Sequence, residues 1–190
     1  MSKVVLSMFT SVDGYIAGPN GEFIGPEWSG DLEKHWSGWA LDRAGHLLYG
    51  RVNFLFNKEF WSAAETDPSS AAAGVPHAAT MNRLPKTVFS RTLTGDPGWN
   101  GTVVRDDLVG EVARLKRDVQ GDLMMFGGAG IANAFVRLDL FDEYRLMVIP
   151  RLFGSGIRLF DAGADPLALT LLDAKTLDTG AVIMHYARRR

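Results

Sequence analysis

The residues best suited to chemistry stand where predicted strands give way to predicted helices. Gly127, Gly128, Ala129 and Gly130 follow an apolar run at 123–126 and precede Ile131, Phe135 and Leu138 at helical spacing. Without β-carbons, such a turn lets backbone N–H groups at a helix N-terminus approach a diphosphate, and the helix dipole adds to the attraction. The same turn can simply join a strand to a helix, and its glycine spacing is neither that of a Rossmann fingerprint nor that of a Walker loop. A second junction, Gly50-Arg51-Val52-Asn53, puts a guanidinium in a first helical turn, where it can meet another anionic group or serve as an ordinary surface cation. At a third, Phe89-Ser90-Arg91-Thr92, two hydroxyls and a guanidinium close a strand and could hold a phosphate monoester. Ligands of open α/β sheets bind beyond the carboxyl ends of the strands, so three such ends on one chain point further than any one alone.

Carboxylates supply candidate proton donors. Asp31 opens the first predicted helix and can be an acid or merely its N-cap; Asp13 can be an acid or a turn-former; Glu27 lies between them in a glycine-rich loop. Trp28, His35, Trp36, Trp39, Phe54 and Trp61 could line a pocket for a flat heterocycle or be ordinary core, and Trp28 and Glu27 are the substrate-binding candidates. Asp142 and Glu143 are expected to begin a strand near a sheet edge. Gly154 and Gly156 are expected to permit a bulge or close backbone contact.

Composition excludes several classes. The chain has 190 residues, 46% hydrophobic and 22% charged, which suits one domain over 1–190. Lys+Arg 20 against Asp+Glu 22 gives a net charge of −2, with no broad attraction for nucleic acid or anionic lipid. Only Arg188, Arg189 and Arg190 cluster positive charge, as a solvated tail. With no cysteine and four scattered histidines, no metal site is expected. No membrane span or export signal is apparent, so the expected compartment is cytoplasmic.

The elements that must position these residues follow from periodicity. Strands are expected at 4–10, 45–49, 87–90, 102–104, 123–126 and 143–150, with a terminal hairpin of 169–177 and 181–186 around Asp178-Thr179-Gly180. Helices are expected from Asp31 to about Leu41, after Gly50 with Val52, Leu55, Phe56 and Phe60 on one face, and from about Asp106 with Leu108, Val112 and Leu115 inward. Residues 68–81, rich in Ala, Ser, Gly and Pro, read as an irregular connection. The alternation suggests a three-layer α/β fold, a mostly parallel central sheet with helices on both faces and a C-terminal antiparallel hairpin. Apolar Leu169, Leu171, Val182 and Met184 in the hairpin suit a homodimer.

In their order, Asp13-Gly14-Tyr15-Ile16-Ala17, Gly50-Arg51, residues 85–93, the glycine turn at 127–130, Asp142-Glu143 and Gly154-Ser155-Gly156 resemble the dihydrofolate-reductase-like family. The nearest likeness is to the C-terminal reductase domain of the riboflavin-biosynthesis deaminase-reductase and its stand-alone relatives, over about 4–186. The resemblance implies NADPH, with Arg51 and Ser90-Arg91-Thr92 around the adenosine 2′-phosphate and residues 127–130, flanked by Ile131, at the diphosphate. It places the nicotinamide near the loop 13–17, against the backbone of Ala17. It also puts Asn53 where the family usually has threonine, and Asp31 about where folate reductases keep their acid. The implied reaction is hydride transfer to a C=N or C=O of a small pteridine or ribosylaminopyrimidinone substrate. A non-catalytic NADPH-binding or sensory protein of the same fold is the alternative.

Overall fold

The computed structural model describes residues 2–161 and 165–189; Arg190 of the expected basic tail lies outside them. Eight strands form one sheet in the order β5 (Gly101–Val104), β4 (Lys86–Phe89), β3 (Ala44–Gly50), β6 (Asp122–Met125), β1 (Val4–Ser11), β7 (Glu143–Ile149), β10 (Val182–Arg188) and β9 (Leu169–Thr176). The first six pair in parallel, while β10 runs antiparallel to both β7 and β9. A two-residue β8 (Ile157–Arg158) pairs separately with β2 (Tyr15–Ala17). The expected sheet and terminal hairpin are both present.

Parallel strands covered on both faces become near-continuous apolar runs, and β1 is such a run. Val4, Leu6 and Met8 enter one core with Val112 and Leu115 of α5 (Leu108–Asp118) and Ala132 and Phe135 of α6 (Ala129–Arg137). Val5 enters the opposite core with Tyr49, Leu41 of α2 (Trp39–Arg43), Phe54 of α3 (Arg51–Thr66) and Met81 of α4 (Ala78–Arg83). Connections from β1 to β3 and from β3 to β4 therefore pass over the second face, and those from β5 to β6 and β6 to β7 over the first. The two sets run in opposite directions along the sheet, as a single crossover hand requires. Between adjacent β3 and β6 the following helices depart to opposite faces, which opens a crevice at their carboxyl ends.

Six sequence expectations need correction. The first helix is capped by Ser29, whose Oγ accepts from Leu32 N at 3.1 Å, while Asp31 lies within its first turn. That helix is continuous in direction but contains a π-helical stretch, Glu33–Gly38, between α1 (Gly30–Leu32) and α2. On α3 the inner face carries Phe54 and Trp61, and Val52, Leu55 and Phe56 are exposed. Periodicity identified an amphipathic helix but not which side the sheet would take; the ring cluster of Phe54 with Tyr49 and Trp99 decided it. Leu138 ends α6 exposed instead of extending its buried stripe, and part of 68–81 is helical as α4, with Ala72 and Met81 buried. Finally, Glu143 begins a strand that lies inside the sheet, between β1 and β10, and is buried.

Candidate functional site

The crevice is built by two helix starts. Glycine at position 50 brings β3 straight into α3, and Gly128 brings the chain after β6 into α6; neither residue offers a side-chain cap to its helix. First-turn N–H groups of both helices are thereby left open to an anion. Gly127 (φ 122°) and Gly128 (φ 93°) hold backbone conformations that suit glycine. A β-carbon on Gly127 would stand 2.9 Å from Met8 Sδ and 3.1 Å from Asn53 Nδ2, and one on Gly50 would stand 3.2 Å from Ile131 Cγ2. The two turns pack against each other so closely that bare backbone is required on both sides.

Asn53 ties them together: its Nδ2 donates to the Phe126 carbonyl at 3.0 Å, and its own carbonyl and Oδ1 accept from Asn57. Asn53 thus fastens the first turn of α3 to the end of β6. Gly50, Arg51, Val52, Asn53, Phe89, Gly128, Gly130 and Ile131 line one open recess of about 340 Å³. Arg51 is exposed and has no ion-pair or hydrogen-bond partner among the described residues.

A second recess adjoins the first through Phe89 and is lined by Ser90, Arg91, Arg105, Asp106, Asp107 and Leu108. Ser90 Oγ accepts from Thr92 N and Leu93 N at 3.2 and 3.0 Å, which folds 90–93 into a tight turn and leaves the hydroxyl proton free to donate. Arg105 donates to the Leu93 carbonyl at 2.9 Å and braces that turn. Sequence reasoning missed Arg105, Asp106 and Leu108. They lie where the fourth parallel strand, β5, gives way to α5, so the rule that drew attention to the other strand ends would have reached them.

On the first face, buried Asn133 of α6 donates to the Leu159 carbonyl at 3.0 Å and accepts from Asp161 N at 3.0 Å. This clasp holds the β2–β8 ribbon beside α6 and with it Ala17, whose carbonyl would collide with any β-carbon on Gly156. The expected close backbone contact at Gly156 is therefore real.

The two candidate acids are placed differently. Asp13 accepts from Ser11 Oγ at 2.6 Å, Phe153 N at 3.1 Å and Gly154 N at 2.8 Å. These bonds, that from Ser11 foremost, hold its carboxyl down at about 2. It organises the loop around β2 and has no proton to give at neutral pH. Asp31 lies at the tip of the β9–β10 hairpin, on the same sheet edge as the glycine turn, accepting from Asp178 N at 3.2 Å with His35 Nε2 at 3.4 Å and Lys175 Nζ at 3.7 Å. Strand β10 is three positions from β6, roughly 14 Å at ordinary sheet spacing.

The expected aromatic set does not line one pocket. Phe54 is core, Trp36 and Trp39 lie against the Arg145 guanidinium at 5.7 and 3.9 Å, and Trp28 is exposed near Glu27. Buried Arg145 also donates to the His35 carbonyl inside the π-helical stretch. No cluster of three or more His, Asp or Glu suited to a metal occurs among the described residues. Nor is any helix there long and apolar enough to cross a membrane.

Comparisons with known proteins agree with this fold. The family model described as the RibD C-terminal domain matches residues 2–183. The uncharacterized protein YyaP of Bacillus subtilis is 27% identical over 186 residues, 97% of this chain and 94% of its own. Among solved structures, a putative riboflavin biosynthesis protein from Shewanella sp. PV-4 superposes with a TM-score of 0.73 at 22% identity, covering 100% of both chains. A diaminohydroxyphosphoribosylaminopyrimidine deaminase/5-amino-6-(5-phosphoribosylamino)uracil reductase from Thermotoga maritima superposes at 0.65 and 18% identity, over 99% of this chain and 57% of that one.

Proposed function

The chain belongs to the RibD C-terminal domain family, and on that premise we propose that it is an NADPH-dependent reductase acting on a C=N or C=O of a small planar heterocycle. The observation that carries the proposal is the switch-point crevice, where two uncapped helix starts face each other beside an unpartnered guanidinium. A diphosphate fits the N–H groups around Gly128–Gly130, because they open an uncapped helix that the chain enters through the bare backbone of Gly127 and Gly128. Arg51, with Ser90, Arg91 and Thr92 at the neighbouring strand end, would take the ribose 2′-phosphate, and Arg105 keeps that turn in shape.

When bound, the cofactor supplies hydride. The protein's share is to hold the ring end against the 13–17 loop, shield it from water and deliver a proton to the substrate heteroatom. Asp31 is the candidate donor; Asp13 is the latch that seats the loop on 153–154. Exposed leucines on the edge strand β9 suit a two-fold dimer.

Calorimetric titration tests the cofactor. NADPH is expected to bind more tightly than NADH, and Arg51→Ala to weaken NADPH by about tenfold or more while changing NADH little. No NADPH binding, or equal losses for both nucleotides, would overturn the assignment. Asp31→Asn is expected to abolish turnover and spare NADPH affinity; unchanged turnover would clear Asp31. That Asp31 and Asp13 both have protein partners favours a second reading, NADPH binding without catalysis. Consumption of NADPH with any of a panel of pterins, pyrimidinones, quinones and carbonyls would reject it.

A further inference from the structure

Three phenylalanine rings span the second face near the carboxyl end of β1. Phe9, near the end of β1, packs with the cluster of Leu32, Trp36, Phe153 and Met147 under the first helix. Its ring meets Phe23 edge-on with centroids 5.5 Å apart, and Phe23 in turn stacks on Phe56 of α3 at 6.0 Å and 28°. The line of rings thus bridges the first helix's cluster and α3, across the strand that leads into the loop at 13–17. Both outer rings are nevertheless open to water: Phe23 is 63% exposed and Phe56 50%.

The exposed ring of Phe23 is held in place by its own loop. Gly25 packs its bare backbone against the ring, so that a β-carbon there would stand 2.5 Å from Phe23 Cε1. Upstream, Gly18 N donates to the Glu22 carbonyl, Gly21 N to the Gly18 carbonyl and Asn20 N to the Glu22 carboxylate, closing a compact turn. Its contacts with Phe9 and Phe56 still leave most of the Phe23 ring open to solvent, and aromatic faces in this position stack on flat heterocycles.

We infer that Phe23 and Phe56 are the specificity-determining residues for the substrate's planar ring, with Phe23 as a clasp laid across it from the 18–29 loop. This inference rests on the reductase reading, because the ring must lie beside the 13–17 loop to receive hydride. It also explains why α3 leaves its second-turn aromatic outside the core.

The test uses NADP⁺-loaded protein, so that no turnover intervenes, and pterin as the probe, followed by quenching of its fluorescence. Phe23→Leu and Phe56→Leu are each expected to weaken pterin by about tenfold, Phe23→Trp to keep or strengthen it, and all three to leave NADP⁺ affinity and the melting temperature at wild-type values. Equal pterin affinity in Phe23→Leu and wild type would overturn the inference. So would wild-type protein that binds NADP⁺ but not pterin, leaving the cofactor assignment standing. Failure of the wild type to bind NADP⁺ would instead remove the reductase reading itself. A loss in Phe23→Leu that Phe23→Trp does not restore would overturn the stacking role in favour of simple loop packing.

Discussion

The two ends of the parallel strands treat charge in opposite ways. At the amino ends, charges are consumed by the protein: Glu143, 3% exposed, is shared by Lys3 and His185, Asp122 pairs with Arg43 at 2.6 Å, and Asp142 takes Lys116 at 2.7 Å. At the carboxyl ends Arg51 and Arg91 stand exposed without partners among the described residues, and the starts of α3, which carries Arg51, and α6 have no side-chain caps. Paired groups hold strands in register, whereas unpaired groups on rigid elements keep their capacity for a ligand. Stability should therefore be concentrated at one edge and binding at the other.

The largest effect should come from Glu143. Burial pushes its carboxyl up, but hydrogen bonds and charge from His185 and Lys3 outweigh this and hold it at about 2, below the ordinary 4.5. Its contribution is complete above pH 4.5 and fades as pH falls towards 2. Glu143→Ala should cost about 3 kcal/mol in denaturant unfolding at pH 7 and leave NADPH affinity intact; a mutant as stable as wild type would break the contrast. His46 sharpens it in another pH window. Desolvation holds its imidazole down at about 4, and its ring is bonded to Thr87 Oγ1 at 2.9 Å. A group buried in the neutral form stabilises fully above pH 6.5 and ever less as pH falls to 4, so wild type should lose about 2 kcal/mol across that interval. His46→Gln should flatten this slope, as read from melts at successive pH values.

Gly127→Ala crosses the boundary between the two regions. The strained φ and the collision with Met8 and Asn53 should lower stability by about 1 kcal/mol and NADPH affinity by about tenfold, because the cradle itself must shift. The smallest structural effect should be that of Arg51→Ala, with a melting temperature within about 1 °C of wild type despite its loss of NADPH affinity. A large fall in melting temperature would show that Arg51 serves the fold after all.

Local structure was readable in the sequence wherever it depended on neighbours in the chain. The glycine turn before Ile131, the Arg51 junction, the Ser90–Thr92 strand end, the two-sided apolar run of β1 and the terminal hairpin are all short-range patterns, since period, turn geometry and helix starts are set by a few successive residues. What only the tertiary structure decided depends on which surfaces meet. The sheet took Phe54 instead of Val52 and Phe56, because one ring cluster fitted against Tyr49 and Trp99. Ser29 displaced Asp31 as cap, and the loop at 153–154 claimed the Asp13 carboxylate from 140 residues away. Strand order lies beyond local periodicity for the same reason: the crevice exists because β3 and β6, distant in sequence, become neighbours whose helices leave on opposite faces.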